Sequence, residues 1–332
     1  MNIIMDAMGG DHAPREIVMG AVEAINKFSD IQITLTGDKK AIEEVLADMD
    51  YDKSRLSMIH TTQIIEMEDS PVKAIKEKTD SSMVVALREL SCGNAQMMIS
   101  AGSTGALVAG ATLIVKRIKG IKRPALAPVL PTKTGEVLLI DCGANVDCKP
   151  QYLNQFGIMG SIYMQKVFGI NTPKVGLINN GAEEEKGNEL TKEAYQLLKE
   201  APINFVGNAE GRDLLSGQFD VLVCDGFTGN IVLKFVEGCA KTILGMLKGY
   251  VLESTKAKIG SLFMKGAFSK LKKKMDYKEY GGALLLGLTG GVMKAHGSSD
   301  AKAIFNSIEN ARKFIAGDVV EMIAREVSKI AE

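Results

Sequence analysis

The chain has 332 residues, 46% of them apolar and 24% charged, and its 40 lysines and arginines are matched by 40 aspartates and glutamates. This composition excludes a disordered or collagen-like chain, and the zero net charge argues against an overall basic nucleic-acid binder. Glycine is in excess, at 34 residues against 8 prolines, which points to tight turns and close backbone approach, not to flexible linkers.

Along the chain a short apolar run, a cluster of Gly, Asn, Asp or Ser, and a longer amphipathic stretch recur in that order. Residues 2–6 read as a first strand, too short and too soon polar for a signal peptide. A polar loop over 7–13 leads into a helix over 14–28, with Pro14 at its first position, where a missing N–H costs nothing. A strand over 31–36 precedes a helix over 38–49, and His60 closes another strand as a structural residue. The strand over 95–100 passes through 101–105 into a helix reaching 117. Strands over 137–141, 174–179 and 219–225 are followed by helices over 151–168, 189–200 and 229–250. The last of these carries an apolar stripe of Val232, Phe235, Val236, Cys239, Ile243 and Leu247. From 298 the chain is helical to its end, broken at Gly317. Such alternation predicts right-handed crossovers and a largely parallel sheet covered on both faces, a three-layer α/β/α fold. With no repeat or linker in view, residues 1–332 are expected to form a single domain.

Residues 254–280 depart from the pattern: eight lysines face only Asp276 and Glu279, a net charge of +6. Met264, Phe268, Leu271 and Met275 share one helical face, with Lys265, Lys270, Lys272, Lys273 and Lys274 lying away from it. Gly260 and Gly266 predict a break into two short helices. The segment reads either as a solvated basic face or as an amphipathic element for anionic lipid or an acidic protein. No apolar run reaches the roughly 18 residues of a membrane span, so a soluble, intracellular protein is expected. The cysteines (92, 142, 148, 224 and 239) form no Cys-x-x-Cys pair and the three histidines have no ligand spacing, so the thiols are expected reduced, with no metal and no cofactor.

Five strands run straight into Gly-rich polar loops, at 6–12, 100–105, 141–145, 179–187 and 225–230. Ligands of open α/β sheets bind beyond the carboxyl ends of strands, where unpaired backbone N–H groups attract anions. A phosphate or phosphorylated ligand is therefore the leading reading. A P-loop, a G-x-G-x-x-G fingerprint and a G-x-S-x-G elbow are all absent. Asp6, Asp141 and Asp225 each end a strand, either as loop caps or as site groups. Lys186 lies in a strand-end loop beside Asn180, Lys234 lies one turn into the helix over 229–250, and His12 and His296 both occupy Gly-rich loops.

Taken in order, residues 5–14, 100–106, 141–145, 179–188 and 224–231 strongly resemble the bacterial phosphate acyltransferases of phospholipid synthesis, over essentially the whole chain. The resemblance implies transfer of a fatty acyl group from acyl-(acyl carrier protein) to inorganic phosphate. It further implies an isocitrate/isopropylmalate dehydrogenase-like fold, a homodimer, peripheral association with the inner face of the cell membrane, and a product consumed by a glycerol-3-phosphate acyltransferase. Residues 287–297 depart from the pattern, because Lys294 interrupts the apolar run expected before His296.

Phosphate is largely dianionic near neutrality and a thiolate is a good leaving group, so direct attack without an acyl-enzyme suffices. On that reading Lys186, Asn180 and Asn230 are the candidate catalytic residues. Candidate phosphate and substrate contacts are Asp6, Gly9, Gly10, His12, Gly102, Ser103, Thr104, Gly105, Asp141, Asn145, Asp225, Gly226, Thr228, Gly229, Lys234 and His296. Met264, Phe268, Leu271, Lys272, Lys273 and Lys274 are candidates for membrane or carrier-protein contact. An acyl-CoA-dependent phosphotransacetylase and a non-catalytic carrier-protein or membrane scaffold are the alternatives.

Overall fold

Strands and helices alternate through the computed structural model, which describes residues 1–275 and 277–330, and the strands divide between two sheets. The first stretch of chain supplies β1 (Asn2–Asp6), α1 (Arg15–Lys27), β2 (Gln32–Gly37), α2 (Lys39–Leu46), β3 (Leu56–His60), α3 (Pro71–Glu77), α4 (Ser82–Ser91), β4 (Met97–Ser100) and α5 (Thr104–Gly110). Next, β5 (Ala125–Ala127) leads into β6 (Val129–Pro131), β7 (Glu136–Ile140), α6 (Pro150–Phe168), β8 (Lys174–Asn179), α7 (Glu189–Glu200), β9 (Asn204–Glu210) and β10 (Val221–Val223). A helical hairpin of α8 (Gly226–Glu253) and α9 (Thr255–Met275) returns to β11 (Ala283–Leu286), β12 (Gly291–Lys294), α10 (Ala301–Ala316) and α11 (Val319–Ile330).

The larger sheet has the order β3-β2-β1-β4-β12-β11-β5 and the smaller β6-β7-β10-β8-β9. Among the strands of the described residues, only β11, against β12 and β5, and β6, against β7, pair antiparallel. Ile3, Ile4 and Met5 of β1 and residues 137–140 of β7 are buried without alternation, as parallel strands covered on both faces require. Helix α1 turns Ile17, Val18, Ala21, Val22, Ala24 and Ile25 inward at helical spacing. One apolar core runs from Ile3 and Met5 through Ile121 and Ala125 to Leu138, Ile140 and Val221, and so joins the two sheets. Each such aliphatic side chain, fully buried, is worth about 1.5–3 kcal/mol. The sheets also meet through the backbone, where Leu139 N donates to Pro128 O and Cys142 N to Leu126 O.

Several elements differ from the sequence reading. Pro14 is the N-cap of α1 and not its first helical residue. The helix after β4 ends early, widening over Ala111–Val115 before Lys116 takes a φ of 74°. Helix α9 runs unbroken through Gly260 and Gly266, because each glycine costs only about 1 kcal/mol relative to alanine. Helix α8 starts at Gly226, earlier than the expected 229, because Asp225 caps it through Thr228 N at 2.8 Å.

Candidate active site

The five glycine-rich loops all lie at carboxyl ends of strands, two on the larger sheet after β1 and β4, and three on the smaller sheet after β7, β8 and β10. They form two walls, and the sheet contacts around Leu126 and Cys142 bring those walls together.

On the larger sheet, Asp6 pairs in register with Ser100, and Ser100 with Lys294, so three polar side chains end three adjacent strands. Asp6 is buried. Its carboxylate accepts from Ser82 Oγ at 2.6 Å, Ser100 Oγ at 2.7 Å and Met8 N at 3.2 Å. Burial nevertheless pushes its pKa above the ordinary 3.8, against the pull of those donors. Ser100 Oγ in turn accepts from Gly102 N at 3.1 Å. A side chain at Gly9 would place its Cβ 2.5 Å from Asp6 Oδ2 and 2.7 Å from Gly102 N, so only glycine lets these two loops touch. Asp11 N donates to Gly297 O at 2.9 Å, which brings the loop after β12 into the same cluster. Ser103 caps the helix carrying Thr104 and Gly105 through Ala106 N, whereas His12 is exposed and its carbonyl accepts from Glu16 N.

Sequence reasoning missed Lys294. It closes β12, where its ammonium donates to Ala101 O at 3.3 Å and to Ala295 O. Desolvation lowers its pKa to about 8, and the carboxylates of Asp6 and Asp11 oppose that shift. The available signal was a charged residue closing an apolar run at a Gly-rich loop, the same signal that singles out Asp6. Two residues on, His296 Nδ1 accepts from Ser298 N at 3.2 Å and lies 2.9 Å from Ser298 Oγ. A backbone donor at Nδ1 assigns the neutral ring's proton to Nε2. Burial, followed by the charge of Lys234, lowers the pKa of His296. Lys234 and Glu237, paired at 2.8 Å on α8, act electrostatically on His296 from one side and on Cys142 from the other.

On the smaller sheet Asp141 is fully buried and ties its own loop to β5 of the larger sheet. It accepts from Leu126 N at 2.7 Å, Ala144 N at 3.3 Å, Asn145 N at 2.6 Å and Asn145 Nδ2 at 3.0 Å. Asn145 Nδ2 also donates to Pro124 O at 2.7 Å. Desolvation raises the pKa of Asp141 to about 6 despite these donors. Asp225 is likewise engaged, accepting from Thr228 N and Thr228 Oγ1, both at 2.8 Å. A Cβ at Gly226 would lie 2.7 Å from Asp141 Oδ2, and one at Gly229 would overlap Asp141 O, so both glycines seat α8 on the β7 loop. Asn230 is exposed and faces Gly143, whose φ is +98°. The β8 loop lies beside β10, on the side away from β7; there Asn179 Nδ2 donates to Lys186 O and Asn208 Oδ1, while the side chains of Asn180 and Lys186 are exposed.

The candidates for membrane or carrier contact lie elsewhere. Gly226 and Gly229 are the buried residues of α8, so the hairpin projects from the body. It exposes Phe235 at 69% and Phe263 at 88%, together with Met264 and Leu271, while Phe268 is half-buried. Lys273 is exposed, and Lys274 Nζ donates to Lys133 O at 3.0 Å. The side chain of Lys272 and all of Asp276 lie outside the described residues. The cysteines carry free thiols; those of Cys142 and Cys224 are buried.

The sequence matches the family described as Fatty acid synthesis protein over residues 1–322. The phosphate acyltransferase of Alkaliphilus oremlandii is 54% identical over 332 residues, covering 100% of this chain and 99% of the relative. That of Clostridioides difficile is 51% identical over 333 residues, covering 100% and 98%. A phosphotransacetylase from Streptococcus pyogenes superposes with a TM-score of 0.63 at 18% identity, covering 97% of this chain and 94% of that one. The 4-hydroxythreonine-4-phosphate dehydrogenase of Klebsiella pneumoniae does so with a TM-score of 0.54 at 13% identity, covering 98% and 99%. At these identities the solved structures establish a shared α/β fold, in line with the dehydrogenase-like architecture expected from the sequence.

Proposed function

The chain belongs to the phosphate acyltransferase family, and from that premise we propose that it moves a fatty acyl group from acyl-(acyl carrier protein) to inorganic phosphate, making acyl phosphate for phospholipid synthesis. Acyl transfer to phosphate is what the family performs; the carrier-protein donor and the use of the product are our reading.

The observation that carries it is the wall built by Asp6, Ser100 and Lys294, where glycines let three loops close around a partly buried ammonium. In such a site phosphate needs no general base, because its second ionisation lies near neutrality. The backbone of residues 103–105 cradles it, since the N–H groups of Gly226, Thr228 and Gly229 are donated to Asn145 and Asp225, with Lys186 as counter-charge, and Asn180 and Asn230 orient the thioester carbonyl as oxyanion charge develops. Attack is direct. Desolvation raises the thiols of Cys142 and Cys224 well above the ordinary value and that of Cys148 to about 12, so none is a ready thiolate at neutral pH.

The projecting hairpin suits the remaining partners. Its exposed apolar residues and lysines suit an acidic carrier protein and an anionic membrane surface, which supports reading the enzyme as peripheral to the inner face of the cell membrane; that it works as a homodimer is part of the same family-based reading. Among the described residues no helix is long and apolar enough to cross a membrane. The acyl phosphate then passes to a glycerol-3-phosphate acyltransferase.

The test supplies purified protein with phosphate and either acyl-(acyl carrier protein) or acyl-CoA, trapping product as hydroxamate. Phosphate-dependent hydroxamate from the carrier-protein donor is the expected result. Product from acyl-CoA alone would make the protein a phosphotransacetylase-type enzyme. Product from neither donor, with membrane binding retained, would leave a scaffold.

A further inference from the structure

Three lysines border the two walls, and they differ in how their charge is compensated. Lys234 is 57% exposed in its side chain and pairs with Glu237 at 2.8 Å. Lys186 is exposed, so water screens its charge. Lys294 is neither exposed nor paired. Its ammonium rests on the Ala101 and Ala295 carbonyls, and among the described residues no carboxylate forms an ion pair with it. Asp6 and Asp11 are near enough only to act on it at longer range.

A partly desolvated cation held by neutral dipoles is costly unless an anion covers it. An ammonium has three donors, and two of these are taken by carbonyls of different loops. Ala101 is the residue from which 102–105 springs, so the charge lies directly beneath a loop already shaped by glycine contacts. In such a low-dielectric setting one positive charge attracts an anion far more strongly than a solvated lysine does.

We propose that Lys294 is the cation that binds the attacking phosphate, seating it against residues 102–105 between the β4 and β12 loops. This rests on the reading of the protein as a phosphate acyltransferase. It assigns the main counter-charge to the half-buried residue that closes β12 and leaves Lys186 a peripheral role.

The experiment compares wild type with Lys294→Gln, which keeps two N–H donors for the two carbonyls and removes the charge. Expected is a rise of about tenfold or more in KM for inorganic phosphate, the loss of one charge-assisted contact, with KM for the acyl donor held within about twofold. A purely structural lysine would raise both constants or lower the folded fraction, which circular dichroism reports. A second reading uses wild type alone. The groups facing Lys294 are Asp6 from β1, Asp11 from the loop after it, Lys234 from α8 and His296 from its own loop. As pH rises through about 8 the ammonium loses its proton, so KM for phosphate should climb at least about fivefold between pH 7 and 9.5. In Lys294→Gln that climb should vanish. An active wild type whose phosphate KM is flat with pH, or a folded Lys294→Gln with unchanged phosphate KM, overturns the proposal. A wild type that makes no acyl phosphate overturns the family-based reading instead.

Discussion

The two walls use the same sequence device, an aspartate at or just beyond a strand end with a glycine one to three residues on, to different ends. On the smaller sheet Asp141 accepts from four N–H groups of residues 126, 144 and 145, so its carboxylate is spent on holding its own loop against β5 of the larger sheet. Asp225 is spent in the same way on capping α8. On the larger sheet Asp6 takes two serine hydroxyls from α4 and β4, and Lys294 ends the strand one place beyond. The first wall is built to stay shut, whereas the second keeps a charge in reserve. Donors around a strand-end carboxylate therefore reveal its role more readily than the motif does.

The contrast can be broken most severely at Asp141. Asp141→Asn would turn an amide NH2 toward four N–H donors, and a loss of about 3 kcal/mol in urea unfolding at pH 7 is expected. Because the folded-state pKa of about 6 lies above the ordinary 3.8, the folded chain holds this proton more tightly than the unfolded one. Its contribution is full below about pH 4 and is lost as pH rises through about 6. The stability gap between wild type and Asp141→Asn should thus narrow by about 1 kcal/mol from pH 5 to pH 7. A gap that widens would mean that the four donors, and not burial, govern the group.

Next comes Gly9→Ala, which sharpens the other side. Its Cβ must displace either Asp6 Oδ2 or Gly102 N, so a drop in phosphate-dependent turnover of about 100-fold is expected, with the chain still folded. Asp225→Ala, which removes only a cap, should cost about 1 kcal/mol and leave turnover within tenfold. Smallest is Phe235→Ser on the projecting hairpin. Stability should change by no more than about 0.5 kcal/mol, while liposome binding, measured by co-sedimentation, falls.

Much of this architecture was legible beforehand. The strand at 174–179 and the helix at 189–200 agree with the sequence reading, because a short apolar run ending in a polar loop and a strong amphipathic stripe leave little choice. Strands β5, β6 and β11 are not legible in the sequence, since three or four residues carry no period and their pairing comes from distant chain, and β9 escapes it too, because its buried and exposed residues do not alternate cleanly. The division into two sheets is likewise a matter of nonlocal pairing. All five loops were legible from glycine placement. What separates Asp6 from Asp141 was not, because the donors come from Ser82 and Ser100 in one case and Leu126 in the other. Lys294 read as an interruption of a strand for the same reason: its partners are backbone carbonyls, and one of them lies nearly two hundred residues away.

The most direct test of the account is a single turnover of wild-type protein with acyl-(acyl carrier protein), first without phosphate and then with it. If phosphate is the nucleophile at this site, no carrier thiol is released and no acyl group appears on the protein until phosphate is added; acyl phosphate then forms in step with free thiol. A burst of thiol and an acylated protein before phosphate arrives would contradict direct attack.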